Sequence, residues 1–356
     1  MKVIQIMPEF ALAGAEIMCE DLSYKLQEKG VDVVIVSLYH YHSPITERLE
    51  EKGIKVIYLN KKPGLDLSMI YKLYILFKKE NPDVIHTHRY VLRYAMPAAI
   101  LAKVKKCVHT FHSIATKEHK KFGRKINKIF FRFFNVIPVA LSDIVKHTVV
   151  EEYKLNENKI PVIFNGIDLS KCTKKTDYSL HNPIRVIHIG RFADVKNHNS
   201  LIKAAKILSE KDYNFIISCY GEGNLKSECI KLAQELNIEK YIEFNGLTEN
   251  VCEKLYNSDV FILPSLYEGI PMTVIEAMGT GIPIVVSQVG GVPDMVEDYK
   301  EALYCSIDPE SIAKKLEELI LNADLRKELG YNAYDKSQVF SSENMADKYI
   351  YIYREG

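Results

Sequence analysis

The chain has 356 residues, 47% hydrophobic and 26% charged, with a net charge of +1. That is a soluble globular composition long enough for two ordinary domains, and no run of 18 apolar residues offers a membrane span. The near-zero net charge hides an asymmetry: residues 1–170 carry 26 Lys+Arg against 18 Asp+Glu, a balance of +8, while residues 171–356 carry 21 against 28, a balance of −7. A basic half favours anionic membranes or nucleic acid.

In the first half, Val3–Met7, Val33–Leu38, Lys55–Leu59, Asp83–His88, Cys107–His112 and Val136–Ser142 read as strands. They are near-continuous apolar runs, as a parallel sheet covered on both faces requires. The opening run has the look of a short signal peptide, but Glu9 interrupts it and an amphipathic helix follows, which favours a first strand. Ala15–Lys29 carries Ile17, Met18, Leu22 and Leu26 at helical spacing and stops at Gly30; Leu67–Lys79 and Leu92–Ala102 show the same pattern. This alternation predicts βαβ units in a doubly wound sheet.

After Val162–Asp168 a polar stretch ending at Pro183 reads as a linker, and the pattern then repeats. Arg185–Gly190, Asn214–Gly221, Tyr241–Gly246, Asp259–Ser265 and Ile282–Ser287 are predicted strands separated by helical segments. Two such sheets in series make a cleft, and ligands of open α/β sheets sit at the carboxyl ends of the strands. The seven cysteines are an odd number with no C-x-x-C spacing. They read as free thiols of a reducing compartment, neither bridged nor metal-bound.

Gly190-Arg191-Phe192-Ala193-Asp194-Val195-Lys196 lies at the carboxyl end of the first strand of the second half. An arginine fork and a lysine five residues on can converge on one phosphate group; the alternative is a solvated loop with two incidental cations. Glu268-Gly269-Ile270-Pro271 then places a carboxylate just before a helix that starts at Pro271, with Glu276 inside it. The amides of Met272, Thr273 and Val274 would form an anion site at that helix N-terminus.

G-R-x4-K followed by E-G-x-P-x4-E resembles retaining glycosyltransferase family 4, enzymes of the two-domain GT-B fold. The likeness spans almost the whole chain, including Asn165-Gly166-Ile167-Asp168 and Gly290-Gly291-Val292-Pro293. It implies an α/β GT-B architecture of two Rossmann-like domains facing a cleft. An acceptor-side domain would cover 1–168 and a donor domain 183–340, with a final helix in 341–356 packing back on the first. By the same resemblance Arg191 and Lys196 bind the donor diphosphate, with Gly190 at the head of their loop. Thr273 and Val274 hold a phosphate through their amides, Glu276 accepts from the donor ribose, and Glu268 stands against the transferred sugar. Gly246-Leu247-Thr248 and Tyr220-Gly221-Glu222-Gly223 fall where loops meet the nucleoside.

In the first half Ala13-Gly14-Ala15-Glu16 matches the family's glycine-rich turn, although Ala13 replaces its first glycine. Gly14 still lets backbone approach a phosphate or acceptor. His112 matches a family histidine that contacts the donor sugar and is expected to orient or polarise it, where an isolated strand histidine is usually structural. His86 and His88 share a strand face and suit acceptor contact or packing better than metal. With no D-x-D pair in the chain, the expectation is a metal-free enzyme without cofactor, using a nucleotide sugar, a UDP-sugar ahead of a GDP-sugar.

Lys117–Phe134 carries seven basic residues against Glu118 alone, with Phe122, Ile126, Ile129, Phe130 and Phe133 at helical spacing. This predicts either a core-packed helix with a solvated basic face or one that lies on anionic lipid. The implied setting is cytoplasmic, peripheral on the inner face of the membrane, with a glycan or lipid-linked acceptor and no nucleic acid. Two rivals stand beside it: a sugar-nucleotide epimerase, and a non-catalytic partner in a membrane polysaccharide assembly.

Overall fold

The computed structural model describes residues 1–11, 14–118, 121–211 and 213–355. The chain divides into two compact units, Met1–Gly166 with Ser342–Gly356, and Ile167–Ser341. In the first, strands β1 (Lys2–Met7), β2 (Asp32–Ser37), β3 (Lys55–Tyr58), β4 (Val84–His88), β5 (Lys106–Phe111) and β6 (Val136–Ala140) alternate with helices. These are α1 (Gly14–Glu28), α2 (Pro44–Glu51), α3 (Ser68–Glu80), α4 (Leu92–Ala102), α5 (Ala115–Glu118), α6 (Lys121–Phe133) and α7 (Asp143–Tyr153).

In the second unit the strands are β7 (Ile184–Ile189), β8 (Phe215–Tyr220), β9 (Ile242–Asn245), β10 (Val260–Leu263), β11 (Ile284–Ser287) and β12 (Leu303–Cys305). Its helices are α8 (His198–Ser209), α9 (Lys226–Glu235), α10 (Val251–Tyr256), α11 (Met272–Thr280), α12 (Pro309–Leu321) and α13 (Ala323–Ser337), and α14 (Ser342–Glu355) returns to the first unit.

Both sheets are parallel and share one topology. The orders are β3-β2-β1-β4-β5-β6 and β12-β11-β10-β7-β8-β9, so in each the first and fourth strands of the unit lie side by side. That neighbourhood is the topological switch point, where the loops leaving two adjacent strands diverge to opposite faces and open a crevice at their carboxyl ends. The strands other than β3, β8 and β9 are buried almost throughout, which explains their largely apolar runs.

In the first unit one core layer joins the sheet to α3, α4, α6 and α7, and the other joins it to α1, α2 and α14. Helix boundaries follow local chemistry. Ser43 forms a reciprocal capping box with Thr46 ahead of Pro44. Ser142 caps α7 by accepting from the Val145 amide, which is why β6 stops at Ala140, short of the run that reaches Ser142 in sequence.

Three features depart from the sequence reading. The three-residue β12 has too little sequence to show a period. The polar stretch 171–183 does not hang free: the Lys175 ammonium donates to the Ser258 carbonyl (2.7 Å), and Tyr178 donates to the Gly281 carbonyl (3.0 Å). Cys172 and Cys252 are disulfide-bonded, against the expectation of free thiols throughout. They stand 80 residues apart and meet because the stretch carrying Cys172 lies along Gly279 of α11, beside which α10 packs. Cys19, Cys107, Cys219, Cys229 and Cys305 are free and buried.

Gly330 on α13 makes one of the tightest packings of the second unit. A Cβ there would lie 2.4 Å from the Gly281 carbonyl oxygen and 2.4 Å from the Tyr178 ring. Gly330→Ala should therefore destabilise the second unit by about 1–3 kcal/mol, read as a lowered urea midpoint; an unchanged midpoint would show that the helix shifts freely.

Candidate active site

The second unit builds its site at the β7/β10 switch point. Beyond β7 the chain runs through Gly190 and an exposed Arg191 into a short turn that ends at Lys196. Beyond β10 it runs through Ser265 and Glu268 to Pro271, where α11 begins. The Lys196 ammonium lies 2.6 Å from the Glu268 carboxylate, which also accepts from the Ser265 hydroxyl at 2.5 Å. A charge pair therefore joins the two loops of the crevice. Arg191 is exposed and has no ion pair among the described residues.

Glycines make this crowding possible. A Cβ on Gly221 would stand 2.2 Å from the Gly190 carbonyl oxygen, and one on Gly223 would stand 2.2 Å from that of Phe192. A Cβ on Gly290 would fall 1.7 Å from the Glu268 carbonyl oxygen, and Gly290 also has a φ of +56°. The Gly291 amide donates to the Gly269 carbonyl at 3.0 Å. The segments singled out in sequence thus pack backbone on backbone, and only residues without a Cβ allow it. Gly190 itself sits tight over His188 and Lys196, while Gly246 makes only an ordinary contact with Glu222.

At α11 the amides of Met272 and Thr273 precede any intrahelical acceptor. The Val274 amide donates to the Pro271 carbonyl at 3.0 Å, so it serves an anion only as a shared donor. Glu276 is half-buried in the second turn of the helix.

In the first unit His112 follows β5 directly, and Gly14 opens α1, where an added Cβ would meet nothing within 4 Å among the described residues; Ala13, its partner in the sequence motif, lies outside the described residues. The His112 Nε2 atom is 2.9 Å from Nδ1 of His88, and its own Nδ1 is buried without a partner among the described residues. The packing reading of His86 and His88 is the one the geometry fits. Both are fully buried and hydrogen-bonded, His86 to Tyr353 and Thr110, His88 to His112 and Gln5.

Two groups went unread in the sequence. Arg89, with φ +53°, puts its guanidinium 3.0 Å from the buried Glu16 carboxylate. Glu118 receives the His112 amide at 3.4 Å. In the sequence Glu16 is only the end of a turn motif and Glu118 only a lone acid, because their partners lie far along the chain or in backbone.

Burial governs these titrations. It pushes the His112 imidazole down to about 3, with Arg89 adding to the effect, and His198 down to about 4, with Lys196 adding. His86, His88 and His188 are held well below the ordinary range by the same burial. Glu118 is pushed up to about 8 and Glu16 is raised, again by burial.

Two family profiles match the chain: "Glycosyltransferase Family 4" over residues 12–171 and "Glycosyl transferases group 1" over 173–336. The N-acetyl-alpha-D-glucosaminyl L-malate synthase of Bacillus anthracis is 28% identical over 96% of this chain and 94% of its own. The UDP-Gal:alpha-D-GlcNAc-diphosphoundecaprenol alpha-1,3-galactosyltransferase of Escherichia coli is 31% identical over 64% of this chain and 63% of its own. The crystal structure of HepE from Anabaena in complex with UDP superposes with a TM-score of 0.86 at 18% identity, covering 99% of each chain. The architecture is the GT-B fold, and the class of protein is a glycosyltransferase. More narrowly, the chain belongs to glycosyltransferase family 4.

The five histidines are neutral when folded and titrate near about 6.5 when unfolded. The unfolded chain therefore binds more protons below that pH. Their contribution is complete above about pH 6.5 and is lost as pH falls toward 4, by up to about 1.4 kcal/mol per pH unit for each. Glu16 and Glu118 act with opposite sign, losing stability as pH rises, but two carboxyls do not offset five imidazoles. Urea unfolding should show a lower midpoint at pH 5 than at pH 7.5; a midpoint that rises on acidification would contradict this account.

Proposed function

We propose that the enzyme moves a hexose from a nucleoside-diphosphate sugar, a UDP-sugar ahead of a GDP-sugar, to a hydroxyl of a glycan or lipid-linked glycan. Transfer retains configuration and needs no metal. The observation that carries this reading is the Lys196–Glu268 pair across the switch point, flanked by exposed Arg191 and the α11 N-terminus. Two cations and first-turn amides facing one crevice suit a diphosphate. The Escherichia coli relative is named for a UDP-galactose donor and a diphosphoundecaprenol-linked acceptor, and HepE was crystallised with UDP.

In this reading Arg191 and Lys196 stabilise charge that grows on the departing diphosphate, with the Thr273 and Val274 amides holding a phosphate and Glu276 accepting from the ribose. The bond from the anomeric carbon to the diphosphate breaks while the bond to the acceptor oxygen forms on the same face. The acceptor proton passes to the leaving phosphate oxygen. Glu268, already held by Lys196 and Ser265, faces the sugar as a fixed charge rather than as a covalent nucleophile. His112 orients a sugar hydroxyl, and Gly14 admits the acceptor or a phosphate. Residues 183–340 serve the donor and residues 1–168 the acceptor.

The first unit also carries a surface suited to anionic lipid. On α6, Asn127, Phe130 and Phe131 are buried, while Phe122 (72% exposed), Ile129 and Phe133 (75%) form an exposed apolar stripe beside Lys125 and Arg132. α3 and α4, in the same core layer, add exposed Tyr71, Ile75, Ile100 and Leu101. Across the three helices the one acid, Glu80, is buried on Lys2 and Lys55. Among the described residues no helix is long and apolar enough to cross a membrane. We assign the face to the cytoplasmic leaflet, where a lipid-linked acceptor is presented.

Calorimetry with UDP-, GDP- and ADP-sugars in EDTA should find one tight binder, lost in Arg191→Ala and Glu276→Ala. Lys196→Ala should lower kcat/KM by about 100-fold or more. Absence of binding to every donor by folded protein would overturn the donor assignment, and activity that disappears in EDTA and returns with manganese would overturn the metal-free mechanism. Co-sedimentation should be strong with vesicles containing phosphatidylglycerol and weak with pure phosphatidylcholine, and Phe133→Asp should reduce it. Equal binding to both vesicle types would remove the electrostatic part of the membrane assignment.

A further inference from the structure

A chain of buried hydrogen bonds runs through the first unit from α14 to His112. Gln5 lies in the middle of β1, and His86 and His88 alternate on β4 so that both face α14 with Gln5. Thr110 lies opposite His88 on β5, and Tyr349 and Tyr353 stand one turn apart on α14. All six are between 0% and 3% exposed, so water cannot satisfy them, and each polar atom depends on the next.

The proton positions along this chain follow from one amide. A carboxamide oxygen only accepts and its nitrogen only donates. The Gln5 Oε1 atom is 2.9 Å from Nε2 of His88, so that ring nitrogen carries the hydrogen. The Nδ1 atom of neutral His88 is then bare. It lies 2.9 Å from Nε2 of His112, which must therefore donate. A neutral imidazole holds one such hydrogen, so Nδ1 of His112 is left as a bare acceptor. Toward the other side the Gln5 amide nitrogen donates to the Tyr353 oxygen at 3.4 Å. Tyr353 donates to Nδ1 of His86 at 2.7 Å, and Nε2 of His86 donates to Thr110 at 2.7 Å. Thr110 then meets the Tyr349 hydroxyl at 2.8 Å. At no step do two donors or two acceptors meet. Turning the Gln5 amide over would reverse every link and place the hydrogen on Nδ1 of His112.

We infer that Gln5, acting through His88 and held from α14 by Tyr353, fixes the tautomer of His112, so that His112 presents a bare Nδ1 to a ligand hydroxyl that donates. Gln5, His88 and Tyr353 are positioning residues. A second observation supports a ligand at that atom: Nδ1 of His112 is buried and has no partner among the described residues. A buried acceptor left unmade is costly, and an O–H group completes it. The nature of that ligand, a hydroxyl of the transferred sugar, rests on the function proposed above; the tautomer does not.

Nitrogen-15 NMR of histidine-labelled, ligand-free protein at pH 7.5 separates protonated from bare ring nitrogens directly, with the His112 signal identified by its loss in His112→Gln. The expected result is hydrogen on Nε2 and a bare Nδ1 in the wild type. Gln5→Met removes the director at similar volume and should give a mixture of both tautomers. Hydrogen on Nδ1 of His112 in the wild type, or a single unchanged tautomer in Gln5→Met, would overturn the inference. For the donor identified by calorimetry, Gln5→Met should raise KM about tenfold, the worth of one hydrogen bond, with little change in kcat. A tautomer mixture with unchanged KM would leave the relay standing and remove the sugar from His112.

Discussion

The second unit depends on the ion pair between Lys196 and Glu268. Each residue closes the loop that leaves one of the two strands at the switch point, and the two side chains are largely withdrawn from water. A pair in that position is strong and also demanding, because removing either member strands the other charge. It ties the loop after β7 to the loop after β10. It also leaves hydrogen-bonding capacity on the ammonium, which has three donors. The exposed Arg191 guanidinium supplies the charge that the pair does not neutralise.

Around that pair the second unit is assembled from backbone contacts. Gly221 and Gly223 lie on the Gly190–Phe192 segment, and Gly290 and Gly291 lie on Glu268-Gly269. Side chains there would push apart the loops that carry the charges. The first unit solves the same topological problem with buried polar groups: four side chains of its sheet and two tyrosines of α14 form one hydrogen-bonded series inside an otherwise apolar layer. Low dielectric keeps its histidines neutral, so the series orders hydrogen-bond direction rather than charge.

Much of this was legible in order. The apolar runs located eleven of the twelve strands among the described residues, because strands buried on both faces leave few polar interruptions. The spacing from Gly190 to Lys196 and from Glu268 to Glu276 was legible because each motif occupies a single loop and helix start. Arg89 with Glu16, Glu118 under the His112 amide, and Cys172 with Cys252 were not legible. Each pairs residues or backbone groups whose separation or direction is set by how elements stack, and no local period records that. The seven cysteines misled for the same reason, since their spacing says nothing about which helix lies beside which stretch of loop.

By itself, then, the order of residues determined the alternation of strands and helices, the repetition of that pattern, and the residue types at the carboxyl ends of the strands, because burial on both faces and tight turns impose short-range composition. Only the tertiary structure decided that Lys196 meets Glu268, that Gln5 lies between His88 and Tyr353, and that Phe122, Ile129 and Phe133 are left facing solvent while Phe130 and Phe131 are not. These depend on strand order and helix rotation, and the free energy that selects them comes from contacts between residues tens to hundreds of positions apart.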